Sequence, residues 1–233
     1  MTVKLIGIAT GKYYQFIPQW LDSARRHFLQ EDDVSFVIFT DRMRDYGEDV
    51  LCIPTKHEPW PGPTLNRYRT IIASKSIIKL ADYVFYSDID MTFASKVGRE
   101  IMGEGLTAVH HPGFFKFGTG SWGSNKKSTS FTPKEARAGY FAGGFQGGKA
   151  QTYLAACAVM ATLIMQDTLN GVTAEWHDET HWNKLLSMKQ VPITYLTPSY
   201  CMPEQWVLRL KWQLSELPVK IIALEKDHNE IRK

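Results

Sequence analysis

The sequence predicts an α/β domain built on a mainly parallel central sheet flanked by helices. Short apolar runs at Leu5–Ala9, Ser35–Asp41 and Tyr83–Tyr86 have the length of buried strands, and helical patterns fall between them. A chain of 233 residues most economically forms one domain with a substantial core.

Leu5–Ala9, bounded by Lys4 and Gly11, reads as the first buried strand. A helical pattern runs from Phe16 to Phe28, with Pro18 tolerated in its first turn. Ser35–Asp41 is the second strand and Val50–Ile53 a third. Glu58-Pro59-Trp60-Pro61-Gly62-Pro63 is irregular, because proline removes donors and restricts its neighbours. Leu65, Tyr68, Ile71 and Ile72 then mark one face of a helix reaching about Leu80. Tyr83–Tyr86 runs straight into Ser87-Asp88-Ile89-Asp90. Residues 113–139, rich in Gly, Ser, Thr and Lys, read as a long functional or mobile loop. Ala150–Leu169 is an apolar-faced helix stopped by Asn170-Gly171. Glu225–Lys233 is charged and aperiodic, a flexible C-terminal tail on a single domain spanning 1–233.

The 44% hydrophobic and 22% charged composition is that of a globular protein, and a net charge of +3 gives no reason to expect a nucleic-acid partner. Cys52, Cys157 and Cys201 are odd in number and widely spaced, so neither a disulfide framework nor a zinc site is indicated. No signal peptide is evident at the N-terminus. No apolar run approaches the roughly 18 residues of a membrane span. The chain therefore reads as soluble and cytoplasmic.

Three constellations carry chemistry. Asp88 and Asp90 follow a buried strand, where ligands of open α/β sheets gather, and their two-residue spacing sends both carboxylates to one side. Hard anionic oxygens favour Mg²⁺ or Mn²⁺ bridging to phosphate; the bland alternative is two surface aspartates. Trp176-His177-Asp178-Glu179-Thr180-His181 is not the H-E-x-x-H zinc pattern. It reads either as an acidic first helical turn or as a carboxylate set beside a sugar, with the indole as platform. Ala142-Gly143-Gly144-Phe145-Gln146-Gly147-Gly148 lacks the dinucleotide fingerprint and implies a close backbone approach to a ligand or a sharp bend.

Taken in order, these segments resemble the family 6 retaining glycosyltransferases, the group of the histo-blood-group A and B transferases. The carriers are Ile8-Ala9-Thr10-Gly11-Lys12-Tyr13, Phe39-Thr40-Asp41, Tyr86 to Phe93, His111-Pro112-Gly113-Phe114, Tyr140 to Gly148 and Trp176 to Lys184. The resemblance implies a GT-A fold, a single Rossmann-like domain, and α-1,3 transfer of GalNAc or Gal from UDP-GalNAc or UDP-Gal to a galactose-containing oligosaccharide acceptor. It implies Mn²⁺, with Mg²⁺ as the alternative, held by Asp88 and Asp90. Many bacterial relatives carry asparagines there and work without metal; this chain keeps the aspartates.

The resemblance further assigns donor and nucleotide contacts to Ile8, Ala9, Thr10, Tyr13, Arg67, Ile89, Gly143 and His177, and a donor-hydroxyl ligand to Asp178. Glu179 matches the candidate nucleophile, while Ala142 and Gly144 match the positions that choose the donor. Small residues there favour UDP-GalNAc. His111, Trp176 and Glu204 fall at acceptor positions, and Lys226 and Arg232 match a tail that closes on the diphosphate. A membrane anchor and stem do not match, so a microbial or viral origin is expected. The rival readings are a metal-dependent phosphohydrolase using Asp88 and Asp90, and a carbohydrate-binding module using Trp60, Trp122 and Trp176.

Overall fold

The computed structural model describes residues 1–116, 118–208 and 216–232. Phe117 of the long loop and Lys233 of the tail lie outside the described residues.

The chain opens with β1 (Thr2–Ala9), a 3₁₀ turn at Gly11–Phe16, α1 (Ile17–His27), β2 (Asp33–Thr40) and β3 (Val50–Pro54). Three short helices follow, α2 (Gly62–Leu65), α3 (Arg67–Ala73) and α4 (Lys75–Ile78), then β4 (Tyr83–Ser87), β5 (Met91–Phe93) and β6 (Leu106–His110). The second half holds β7 (Phe141–Lys149), α5 (Ala150–Leu169), α6 (His177–Ser187) and β8 (Ile193–Leu196). It closes with β9 (Met202–Pro203), α7 (Glu204–Leu208), β10 (Ile221–Ala223) and α8 (His228–Ile231).

The main sheet has the order β3-β2-β1-β4-β7-β6-β8. Every pairing is parallel except those of β7, which runs against both β4 and β6. Alternation along the buried strands divides the core in two. One layer, with Leu5, Trp20, Phe28, Phe85 and Phe145, packs under α1. The other, with Ile6, Tyr68, Val84, Tyr153 and Trp182, packs under α3, α5 and α6. Helix α5 is long and apolar enough to cross a membrane, yet Tyr153, Leu154, Cys157, Met160 and Ile164 bury one side of it in this second layer.

Three segments differ from the sequence pattern. The helix anticipated through Leu80 is broken at Asn66 and Ser74, both outside the αR region. The Asn66 amide donates to Glu58 Oε2, a side-chain bond that competes with helix continuation. The glycine segment is a sheet strand rather than a sharp bend. A Cβ on Gly147 would meet the Val84 carbonyl and Phe85, so glycine lets β7 lie close against β4. The tail contains a helical turn: Asp227 caps α8, accepting from the Asn229 and Glu230 amides, and Ile231 is buried.

The small sheet β5-β10-β9 determines where the tail goes. β10 runs antiparallel to β5, directly after Asp88–Asp90, and the Leu224 amide donates to the Asp90 carbonyl. The chain is thereby delivered to the mouth of the cleft at the carboxyl ends of β1 and β4.

Candidate active site

A cleft of about 440 Å³ opens at those strand ends. Ile8, Thr10 and Tyr13 form one wall, Arg67 with Asp88–Asp90 the floor, and Gly143–Gly144 with Trp176–Glu179 the far wall. Lys226, Ile231 and Arg232 approach from the tail, and Trp60 from the proline-rich segment.

Arg67 is the buried centre of the floor. Its Nη2 donates to Asp88 Oδ1 at 3.0 Å and its Nη1 to the Gly143 carbonyl at 2.8 Å. Its Nε lies 3.0 Å from Asp178 Oδ2, and its guanidinium sits 4.3 Å from the Tyr86 ring centroid. The Tyr86 hydroxyl also donates to Asp88 Oδ1, at 2.7 Å. One oxygen of Asp88 is thus committed to protein donors, while its side chain stays about a third exposed to the cleft. Asp90 is buried and pairs through Oδ2 with the Lys226 ammonium.

Helix α6 supplies the other carboxylates from its first turn. Asp178 is 2% exposed, and burial, against the opposing pull of Arg67, pushes its carboxyl up to about 7. Asp178 lines the cleft with its Oδ2 engaged by the Arg67 guanidinium. Burial also raises Glu179, although the Gly143 amide donates to its Oε2 at 2.9 Å and opposes the shift. His177, at φ 50°, places its ring 5.2 Å from that of Trp60. The Arg232 guanidinium stacks on the same Trp60 ring, 3.6 Å from its centroid.

A divalent cation at the floor would draw on Asp88, whose Oδ1 is engaged by Arg67 and Tyr86, and on Asp90, which is paired with Lys226. Among the described residues no cluster of three or more His, Cys, Asp or Glu side chains forms a protein cage. Mg²⁺ and Mn²⁺ sites that also bind phosphates need only one or two carboxylates, which Asp88 and Asp90 supply. The histidines of α6 do not form a zinc pair: His181 has both ring nitrogens engaged, Nε2 by Thr129 and Asp167 and Nδ1 by the His177 backbone carbonyl at 3.1 Å.

Most of the sequence-derived residues converge on this cleft, but four stand apart from its lining. Ala9 and Ala142 are buried in the first core layer. His111 packs against Phe114 and Tyr140, with burial lowering its pKa to about 4. Glu204 opens α7 and accepts from the Glu225 amide at 2.7 Å, holding the start of the tail. Trp176 does line the cleft, its indole N–H donating to Ser121 at 2.6 Å.

Sequence reasoning missed Tyr86, Trp60 as the seat of Arg232, and Tyr140. Tyr86 was legible: it shares the two-residue alternation of Asp88 and Asp90. Tyr140 is buried beside Glu179, its ionisation pushed up by burial and then by that carboxylate. No local pattern announces that proximity.

The whole chain, residues 1–233, matches the model of a protein family described as "Glycosyltransferase family 6". It is 28% identical to rat "Histo-blood group ABO system transferase 1", over 99% of this chain and 68% of that protein. It is 27% identical to chicken "Globoside alpha-1,3-N-acetylgalactosaminyltransferase 1", over 100% of this chain and 69% of that protein. The "O-antigen biosynthesis glycosyltransferase WbnI" of Escherichia coli is 24% identical, over 78% of this chain and 81% of that protein.

Proposed function

This chain belongs to glycosyltransferase family 6, and from that premise we propose that it transfers N-acetylgalactosamine from UDP-GalNAc to a galactose-containing glycan, forming an α-1,3 linkage with retention. Family membership makes it a hexosyltransferase of GT-A fold with a nucleotide-sugar donor and a glycan acceptor. The donor, the metal and the stereochemistry belong to the proposal.

The observation that carries it is the pairing of two carboxylate sets across one cleft. Asp88–Asp90 sit where a diphosphate and its cation would lie, and Glu179 faces them from α6. The cation, Mn²⁺ or Mg²⁺ held by Asp88 and Asp90, would act as a Lewis acid on the leaving diphosphate. Lys226 and Arg232 add positive charge on the same side and exclude water as the tail closes. Ile8, Thr10 and Tyr13 form the wall for the nucleoside. Asp178, lining the same cleft and held by Arg67, accepts from a donor-sugar hydroxyl.

Glu179 serves the reacting carbon. Its carboxylate either attacks that carbon as UDP leaves, to be displaced in turn by the acceptor hydroxyl, or stabilises the positive charge while the acceptor attacks from the leaving-group side. In either course the acceptor proton passes to a phosphate oxygen of UDP. Trp176 presents an exposed indole to the acceptor.

UDP-GalNAc is preferred over UDP-Gal because Gly144 lines the cleft without a side chain. Relatives named as N-acetylgalactosaminyltransferases point the same way. A UDP-release assay comparing both donors against a panel of galactose-terminated acceptors tests this. Higher kcat/KM for UDP-GalNAc is expected, and a clear preference for UDP-Gal rejects that donor choice.

A further inference from the structure

Strand β7 does not run regularly through the sheet. Ala108 pairs with Gln146, but the next β6 residue, Val109, pairs with Ala142, so residues 143–145 are extra on that side. The three peptide units across this bulge each meet a different functional group. The Gly143 amide donates to Glu179 Oε2 at 2.9 Å. The Gly143 carbonyl accepts from Arg67 at 2.8 Å and from Gln146 Nε2 at 2.9 Å. The Gly144 carbonyl accepts from the Asp88 amide at 2.8 Å. Glycine has the widest conformational range, so the orientation of Gly143 depends on these bonds.

Gln146 is 0% exposed, as is Tyr68, whose hydroxyl lies 3.2 Å from the same Nε2. Gln146 does not line the cleft, and its side-chain hydrogen bonds go to Tyr68 and the Gly143 carbonyl. A fully buried amide is costly unless each polar atom has a partner. Here its partners are the bulge carbonyl and the phenol that orients it. Arg67 is shared with Asp88 and Asp178 and is exposed to whatever charge enters the cleft. Gln146 is held entirely from behind, so it fixes the bulge independently of what is bound.

We propose that Gln146, oriented by Tyr68, is a positioning residue for the transfer reaction: it clamps the Gly143 carbonyl, so that the Gly143 amide holds the Glu179 carboxylate at the reacting carbon. This rests on the reading of Glu179 as the group at the reacting centre. The clamp acts on turnover rather than on donor affinity, because the nucleotide wall at Ile8, Thr10 and Tyr13 is built from another part of the chain.

The test is Gln146→Met, which keeps the shape and removes the amide. It strands the Tyr68 hydroxyl, so the double variant Tyr68→Phe/Gln146→Met is made beside it; replacing both partners by apolar groups is nearly neutral for folding. Both variants are expected to lose about tenfold in kcat with donor KM within about threefold, the size of one lost hydrogen bond expressed in a barrier. The Gly143 amide proton, observed in ¹⁵N-glycine-labelled protein, moves upfield as its bond to Glu179 lengthens. Unchanged kcat and an unmoved Gly143 amide in the folded double variant overturn the clamp. If Glu179→Gln is impaired in the same assay, that failure belongs to the clamp alone. If Glu179→Gln is fully active, the role of Glu179 fails and the clamp with it.

Discussion

The backbone amide of Gly143 donates a 2.9 Å hydrogen bond to Glu179 Oε2, tying a strand of the central sheet to the first turn of a helix that packs over it. An amide oxygen accepts the same bond, so Glu179→Gln keeps the geometry and loses the charge. Turnover is expected to fall on the order of 10²–10³-fold, the usual effect of removing one electrostatic contact to a transition state, with UDP affinity nearly unchanged. Steady-state kinetics beside calorimetric UDP titration check this; unaltered turnover would remove Glu179 from the reacting centre.

The tail is seated by Lys226 on Asp90, by Arg232 on Trp60, and by Lys12, which donates to the Glu230 carbonyl at 2.8 Å. Removing residues after Leu224 is expected to raise donor KM and the share of donor lost to hydrolysis, because closure then excludes water poorly. Trp60→Ala reproduces part of the effect. A cation–π contact is worth about 0.5–2 kcal/mol, or about 2- to 30-fold in donor KM. Equal kinetics with and without the tail would deny it a closing role.

The role proposed for Asp178 carries a pH dependence. Burial raises its folded pKa from 3.8 to about 7, so the carboxylate proposed to accept a sugar hydroxyl is present above that range and lost below it. Donor kcat/KM is expected to rise through about pH 7 and level off, and Asp178→Asn flattens that limb. The stability sign is opposite. A raised folded pKa means that the native state binds the proton more tightly, so this group's contribution is largest in acid and declines between 3.8 and about 7. Thermal melts should therefore shift in favour of Asp178→Asn as the pH rises across that window. Parallel pH profiles for wild type and variant would contradict both statements.

The donor choice proposed above is tested at Gly144. A Cβ there would press on Met91 and come 3.0 Å from Asp88 Oδ2. Gly144→Ala is expected to lower kcat/KM for UDP-GalNAc more than for UDP-Gal, by a factor within the about 10–200-fold range of a methyl-sized difference. Equal losses for both donors would show that the substitution disturbs only Asp88.

Much of this arrangement was legible in the sequence because it depends on local pattern. Buried strands announce themselves as short apolar runs, and helix α5 ends where Asn170-Gly171 stops it. The Asp88–Asp90 pair could be placed because it follows such a strand. Long-range pairings left no local trace. The 142–148 segment is a strand only because β4 and β6 flank it, and its glycines then serve close packing and a bulge. The tail has no local signature because its course is set by β10 pairing with β5, more than a hundred residues away, and by Ile231 being buried at the cleft. Tyr140 beside Glu179 is of the same kind: two loop-and-helix positions joined only by the fold.

The most direct measurement is NMR of the first-formed product from UDP-GalNAc and a galactose-terminated acceptor, with Mn²⁺ and again in excess EDTA. The account predicts an α-1,3-linked product with equimolar UDP in the presence of the metal and none after chelation. A β-linked product, full transfer in EDTA, or phosphate release without a glycan product would contradict it.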